Sequence, residues 1–595
     1  MKKLFKYLKP YMLPTLLAPL FMLLEVAMDL MQPALMSRVI DVGVANADKA
    51  YIVRTCILMF VCALLGVTGG LGNMYFSTRA GYGFARDLRS DLYRRIQSFS
   101  FSDIDRFKTG SLVTRTTNDV TQIQNAFTTC IRMLVRAPFL CIGGVVMGLV
   151  LNAKLSLVVL AAIPFLTAMI VFLLKRGRPL FTSMQEKLDR VNTVMQENLS
   201  GIRVVKAFAR ADHEKAKFKV ANDDLCDSTM RAMMMMSMAF PLINLIMNAT
   251  MILMYAFGGS MVFHGELTPG EIMAFSNYIM QILMSLTMSS FMLMFLSRAG
   301  VSIRRVLEVL NTQSDIVDGP DADAAVTRGE VTFEHVSFAY PGQSGNVLSD
   351  ITFTARAGET VAILGSTGSG KSTLISLIPR LYDASAGSVK IDGRDVRAYH
   401  LNTLRGAIGV ALQESVLFTG TIEENLRWGD ENASPEEIRH VAAIAQADPF
   451  VEKLADGYQT ELGQRGVNLS GGQKQRLCIA RALLKHPKVI IFDDSTSAVD
   501  TATDAAIRQN LAALEGVTKI IIAQRVGSVQ DADQIIVLDD GRVHARGTHE
   551  ELLATDSIYQ EIYESQTHGG DPAAESARAG LAAGSRLPHG EGGER

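Results

Sequence analysis

The chain has 595 residues, too many for one hydrophobic core of ordinary size, so two or more domains are expected. A mean hydropathy of +0.19 averages an apolar front half with a back half of soluble texture, which places a membrane part before a soluble part. The net charge of -2 comes with no concentrated basic face and excludes a nucleic-acid partner.

From the start, the basic segment before the first apolar run has no small-residue cleavage site within signal-peptide distance. It reads as an interfacial helix that stays attached. Six stretches then approach the ~20 apolar residues a bilayer span needs: Leu13 to Met36, Ile52 to Met74, Leu134 to Leu151, Leu155 to Leu174, Phe240 to Phe263 and Ile272 to Leu296. The loops after the second and fourth spans carry Arg86, Arg89, Arg94, Arg95, Arg106 and Lys108, then Lys175, Arg176, Arg178, Lys187, Arg190, Arg203 and Lys206. Positive loops stay inside, so both termini are expected in the cytoplasm and the chain in the plasma membrane. Cys56, Cys62, Cys130, Cys141, Cys226 and Cys478 form neither CxxC pairs nor a disulfide framework, in keeping with a reducing compartment for the soluble part.

Two features of the spans bear on cargo. Glu25 and Asp29 lie four apart, on one face of the first span, where a carboxylate is costly. Either they attract cationic cargo or they pair with a basic residue of a neighbouring helix. Met280, Met284, Met288 and Met292 form a stripe on the last span. Thioethers adapt to many apolar shapes, which suits a promiscuous site, and a lipid contact or a packing seam explains the stripe equally well.

The two basic loops are each about 60 residues long and keep helical texture, so the membrane helices are expected to continue far into the cytosol. Phe107-Lys108-Thr109-Gly110-Ser111-Leu112, followed by Arg115 and Asn118-Asp119-Val120, is similar to the first intracellular loop of ABC exporters, and Ser200 to Phe208 resembles the second. That resemblance implies short helices at the loop tips that press on the ATP-binding domains.

After Leu310 the texture turns polar, and residues 311–330 read as a linker. A transmembrane domain over 1–310, a nucleotide-binding domain over 331–566 and a disordered tail over 567–595 complete the predicted organisation. Within the soluble domain, Gly365-Ser366-Thr367-Gly368-Ser369-Gly370-Lys371-Ser372, with Thr373 after it, satisfies GxxxxGK[ST] between a buried strand, Thr360 to Leu364, and the start of a helix. Glycines let backbone N–H groups curl round phosphate oxygens, Lys371 neutralises the outer phosphates, and the Ser372 hydroxyl suits Mg²⁺. ATP and Mg²⁺ are the cofactors this loop implies.

Leu469-Ser470-Gly471-Gly472-Gln473 matches the signature segment of ABC proteins. The resemblance covers all but the tail and implies the rest of the site. Tyr340 would stack on adenine; Gln413 would touch Mg²⁺ and the attacking water; Asp493, ending the apolar run Val489 to Phe492, would bind Mg²⁺; Asp500 would lie in the loop against an opposite domain. In the family, Ser470 to Gln473 cap a nucleotide held by a second chain. The expected fold is an α-helical polytopic membrane domain of six transmembrane helices with long cytoplasmic extensions, fused to an α/β P-loop nucleotide-binding domain.

Two positions depart from the family pattern. Asp494 stands where glutamate orders the attacking water, one C–C bond of about 1.5 Å shorter, and Gln524 stands where histidine is usual. Gln524 can donate a hydrogen bond to phosphate but cannot become a cation or pass a proton. The chain therefore resembles the degenerate-site subunit of heterodimeric bacterial exporters. The expectation is a second, different half-transporter as partner, with membrane lipid and a hydrophobic or amphipathic cargo. An exporter-shaped importer and an ATP-holding regulatory subunit remain the alternatives.

Overall fold

The computed structural model describes residues 2–320, 324–343 and 345–567, with the side chains of 2, 3, 174, 289–298 and 567 excepted. The predicted tail lies outside the described residues save for Thr567. Two compact units form, Met1–Gln97 with Thr109–Thr312, and Ser98–Lys108 with Gln313–Arg595.

The first unit is helical. Its long helices are Met12–Arg38, Lys49–Gln97, Val120–Leu151, Ala153–Ser200, Ala211–Phe263 and Pro269–Asn311. Among the described residues, five stretches are long and apolar enough to cross a membrane. They contain the first five predicted spans; the sixth lies on Pro269–Asn311, and Met292 of the methionine stripe falls outside the described side chains. At ~1.5 Å per residue, the 49 residues of Lys49–Gln97 reach about 73 Å, more than twice a hydrocarbon core of ~30 Å. The helix therefore continues beyond the membrane, as the loop texture predicts.

Side-chain size explains how the first two spans meet. Ile57, Leu64, Leu71 and Met74 face outward, while Gly66, Gly69, Asn73, Ser77 and Ala80 recur on the buried face. Without a hydrophobic difference between lipid and protein, close van der Waals contact between small residues drives such association. A Cβ on Gly69 would stand 2.8 Å from the Glu25 nitrogen and 2.9 Å from the Phe21 carbonyl oxygen. Asn73 Nδ2 donates to the Ala18 carbonyl at 2.7 Å, so the buried amide is satisfied across the same seam. Arg136, on Val120–Leu151, bridges the two acidic residues, bonding Glu25 and reaching Asp29 Oδ2 at 3.0 Å. The carboxylates thus have the basic neighbour that one of the two sequence readings requires.

In the second unit, β1 (Val331–Phe338), β2 (Leu348–Ala355), β4 (Ala386–Ile391) and β5 (Arg394–Asp395) form an antiparallel sheet in the order β2-β1-β4-β5. A six-stranded sheet has the order β12-β11-β3-β10-β9-β6. Its strands are β3 (Thr360–Leu364), β6 (Ile408–Ala411), β9 (Val489–Asp493), β10 (Thr518–Ile522), β11 (Gln534–Asp539) and β12 (Arg542–Gly547). Neighbours from β11 to β6 pair in parallel and only β12 runs antiparallel. Val489 to Asp493 are all buried, as strands covered on both faces should be. Phe333, Phe353, Ile363, Leu374 and Ile391 fill the core between the sheets. A second core, with Leu426, Ile438, Leu477 and Ile490, seats the helix Gly471–Leu483.

Short helices occupy both loop tips, Phe101–Phe107 and Ile202–Ala207. The first is capped reciprocally by Ser100 and Asp103. It belongs to the second unit, where Tyr382 donates to Asp105 Oδ2 at 2.7 Å and its ring lies 6.0 Å from that of Phe101.

Replacing Arg136 by Leu strands two carboxylates in the helical unit. The melting temperature in detergent should fall, and adding Glu25→Gln and Asp29→Asn should recover most of the loss. A single R136L chain as stable as wild type would show the bridge to be idle.

Candidate nucleotide-binding site

Parallel strands deliver their carboxyl ends to one edge of the sheet, where α/β folds bind ligands. On that edge β3 runs into the phosphate loop, β9 into Asp493 and Asp494, β10 into Gln524 and β6 toward Gln413. Because β10 lies between β3 and β9, the phosphate loop, the carboxylates and Gln524 share one neighbourhood.

The loop bends where its glycines allow it. Gly368 and Gly370 have φ of +90° and +96°, the left-handed region that side chains resist. A Cβ on Gly370 would meet Leu348 Cδ2 at 2.7 Å. Lys371 Nζ donates to the carbonyls of Gly365 and Ser366 at 2.9 and 2.7 Å, so its ammonium lies inside the loop's own curl. Burial lowers its pKa below the ordinary lysine value. Ser369 Oγ is buried with no hydrogen-bond partner among the described residues, a polar atom that a phosphate oxygen in the cradle would satisfy. Thr373 Oγ1 lies 3.0 Å from the Tyr340 hydroxyl, and the Tyr340 ring stands edge-on to Phe338 and Tyr382.

Ser372 Oγ donates to Asp493 Oδ1 at 3.1 Å. Hydroxyl and carboxylate oxygens are the hard donors Mg²⁺ prefers, so Ser372 and Asp493 fit a Mg²⁺ site completed by phosphate oxygens and water. When bound, the ion would neutralise charge on the phosphates. Burial, followed by the negative charge of Asp494, raises the Asp493 pKa. Gln413 is exposed in the loop after β6, the strand next to β9.

The two departures meet. Gln524 Nε2 donates to Asp494 Oδ2 at 3.0 Å. Asp494 has φ +46°, its N–H bonds the Ile522 carbonyl at 3.1 Å, and burial raises its carboxyl pKa. A cavity of about 260 Å³ opens beside the pair, toward Ser528 and the helix Thr501–Ala512.

The signature residues stand on the other core. Ser470 caps the helix Gly471–Leu483: its Oγ accepts from the Gln473 N–H and its N–H donates to Gln473 Oε1 at 2.8 Å. A Cβ on Gly472 would lie 2.8 Å from the Ala498 carbonyl oxygen, so glycine permits the close approach of this helix to the following loop. Asp500 caps Thr501–Ala512 through the Thr503 N–H at 3.0 Å. Gln475, which sequence reasoning missed, ties the two together, donating to Ser497 Oγ at 3.2 Å and accepting from the Ala498 N–H at 3.0 Å. Its only sequence signal is an amide at a core-facing position of an amphipathic helix.

Known proteins agree with this arrangement. Residues 15–286 match the ABC transporter transmembrane region and residues 348–497 the ABC transporter domain. The chain is 41% identical over 567 residues to the ABC transporter ATP-binding protein YfiB of Bacillus subtilis, covering 95% of this chain and 98% of that one. The chain belongs to the ABC transporter family. A second relative, the ABC transporter ATP-binding protein Rv1273c of Mycobacterium tuberculosis, is 40% identical over 568 residues, 94% of this chain and 97% of that one. The solved structure of a bacterial Atm1-family ABC exporter with ATP bound superposes with a TM-score of 0.77 at 27% identity, covering 92% of this chain and 97% of that one. The protein is thus a half-transporter of the ABC exporter type, with its transmembrane region and nucleotide-binding domain on one chain. It is a multi-pass plasma-membrane protein with a cytoplasmic nucleotide-binding domain, and ATP drives its transport.

Two outcomes follow from the geometry. Gly370→Ala forces a side chain into a left-handed backbone and into Leu348, and should cost nucleotide affinity at least about tenfold while the domain stays folded. Because Asp493 holds its proton more tightly than the ordinary aspartate value of 3.8, acidification should erode the Mg²⁺-dependent part of ATP affinity above that pH. A Mg²⁺ effect undiminished down to about pH 4 would contradict this.

Proposed function

We propose that this ABC half-transporter works as one subunit of a heterodimeric exporter of amphipathic small molecules or lipids, with a slow ATP site of its own. Gly365 to Thr373, Tyr340 and Asp493 hold Mg²⁺-ATP, while Ser470 to Gln473 and Asp500 complete the site of a different partner chain. The observation that carries this reading is the 3.0 Å bond from Gln524 to Asp494 Oδ2. A carboxylate that must order water through a free oxygen has one oxygen held by an amide instead. That amide has no proton to exchange in catalysis. Two identical copies would put this arrangement in both sites, and only a partner with a longer carboxylate and a histidine supplies a fast one.

The cargo class rests on a groove of about 720 Å³ along the first two membrane helices, lined by Met28, Met59, Phe60 and Val67 beside Glu25 and Asp29. Apolar walls with a few charged groups suit amphipathic molecules. Closure around two ATP molecules favours one orientation of the membrane helices, and hydrolysis in the partner's site removes that preference.

Three measurements test the reading. The chain purified alone should bind ATP yet hydrolyse it slowly and without response to cargo. Ser470→Ala in this chain should abolish fast turnover in the assembled pair. Converting both altered residues, Asp494→Glu with Gln524→His, should raise hydrolysis of the lone chain by up to about a hundredfold, well beyond either change singly. The adjacent cavity gives both larger side chains room. Brisk, cargo-stimulated hydrolysis by the unmodified chain alone would refute the heterodimer.

A further inference from the structure

The last helix among the described residues, Ser557–Thr567, ends against the loop that carries Gln524. It is anchored by Tyr559, which is fully buried in a cluster with Ala523, Val526 and Val529. The Tyr559 hydroxyl lies 2.6 Å from His549 Nδ1. From that anchor Gln566 makes two bonds of opposite sense: its Oε1 accepts from the Val526 N–H at 2.8 Å, and its Nε2 donates to the Gln524 carbonyl at 2.8 Å. The two demands fix the orientation of the amide, since a flipped group would set donor against donor and acceptor against acceptor.

These bonds replace a missing ladder. β10 ends at Ile522, so the peptide groups at Gln524 and Val526 have left the sheet that would pair them. One primary amide supplies the donor and the acceptor that a neighbouring strand residue would offer. The Gln524 side chain then reaches Asp494 at 3.0 Å, so consecutive hydrogen bonds run from the C-terminal helix to the carboxylate of the ATP site.

We propose that Gln566 is a positioning residue for this ATP site: it holds the backbone of residues 524–526 so that the Gln524 amide faces Asp494 and the terminal phosphate of ATP. The proposal rests on the reading of Gln524 as a phosphate-facing residue. Gln566 itself touches neither nucleotide nor reacting water.

Amide hydrogen exchange across residues 523–528 of the full-length chain in detergent tests it, without nucleotide and with ATP or ADP. In wild type, ATP should slow this segment more than ADP does. Gln566→Leu removes both bonds and should speed its exchange roughly 25-fold, about fivefold for each ordinary hydrogen bond, and remove the difference between ATP and ADP. The phosphate loop, residues 365–371, should still slow with both nucleotides, which shows that the domain has folded. Gln566→Glu keeps an acceptor for Val526 N–H and loses the donor to Gln524, so it should fall between the two. Wild-type exchange in Gln566→Leu, or faster exchange spread evenly over the whole domain, overturns the clamp. Gln524→Ala separates the clamp from the reading beneath it. If Gln524→Ala loses the ATP-specific slowing and Gln566→Leu keeps it, only the clamp falls; if Gln524→Ala also keeps it, the phosphate-facing reading falls and takes the clamp with it.

Discussion

Parallel pairing of β3, β10 and β9 in fixed register is the constraint on which the nucleotide site depends. Ile522 stands opposite both Ile363 and Asp493, so the chain segments leaving these strands emerge side by side. With β10 in the middle, its outgoing loop has the phosphate loop on one flank and the Asp493-Asp494 pair on the other. Gln524 and Asp494, 30 residues apart in sequence, become neighbours through topology alone. The two departures from the family pattern are therefore two sides of one contact. An amide and a short carboxylate satisfy each other across it.

The membrane unit answers a different physical demand. No water reaches the hydrocarbon core, so each polar group needs a partner inside the protein. Asn73 finds the Ala18 carbonyl, Tyr278 the Leu30 carbonyl at 2.8 Å, and Arg136 two carboxylates. The glycines that bring the first two helices together leave no space for methyl groups at Gly69, so the seam is held by shape more than by large hydrophobes. Two carboxylates share one guanidinium beside an apolar groove, so their cost in the membrane is met by a partner inside the protein.

How much of this was legible in the sequence differs by the range of the interaction. Hydropathy marks the spans, and glycine spacing between a strand and a helix marks the phosphate loop, because both signals are local. β3 matches the predicted strand residue for residue at Thr360–Leu364, and β9 covers the apolar run Val489 to Phe492 with the Asp493 that ends it. A basic residue of another helix is one of the alternatives the sequence offers Glu25 and Asp29, but nothing in periodicity singles out Arg136, more than 100 residues away. Gln475 and Gln566 were illegible for the same reason: each acts through bonds to peptide groups 23 to 42 residues distant. The grouping of Phe101–Phe107 with the nucleotide-binding unit likewise depends on the Tyr382 hydroxyl and ring, which composition does not reveal.

The backbone at Asp494 has an evolutionary side. Among residues with side chains, aspartate and asparagine tolerate a φ of +46° best, because a short polar group can bond to nearby peptides. At this corner the short carboxylate is also a residue that rests comfortably on the main chain. Exchange for glutamate meets a local conformational cost there, a small ratchet in favour of the shorter carboxylate.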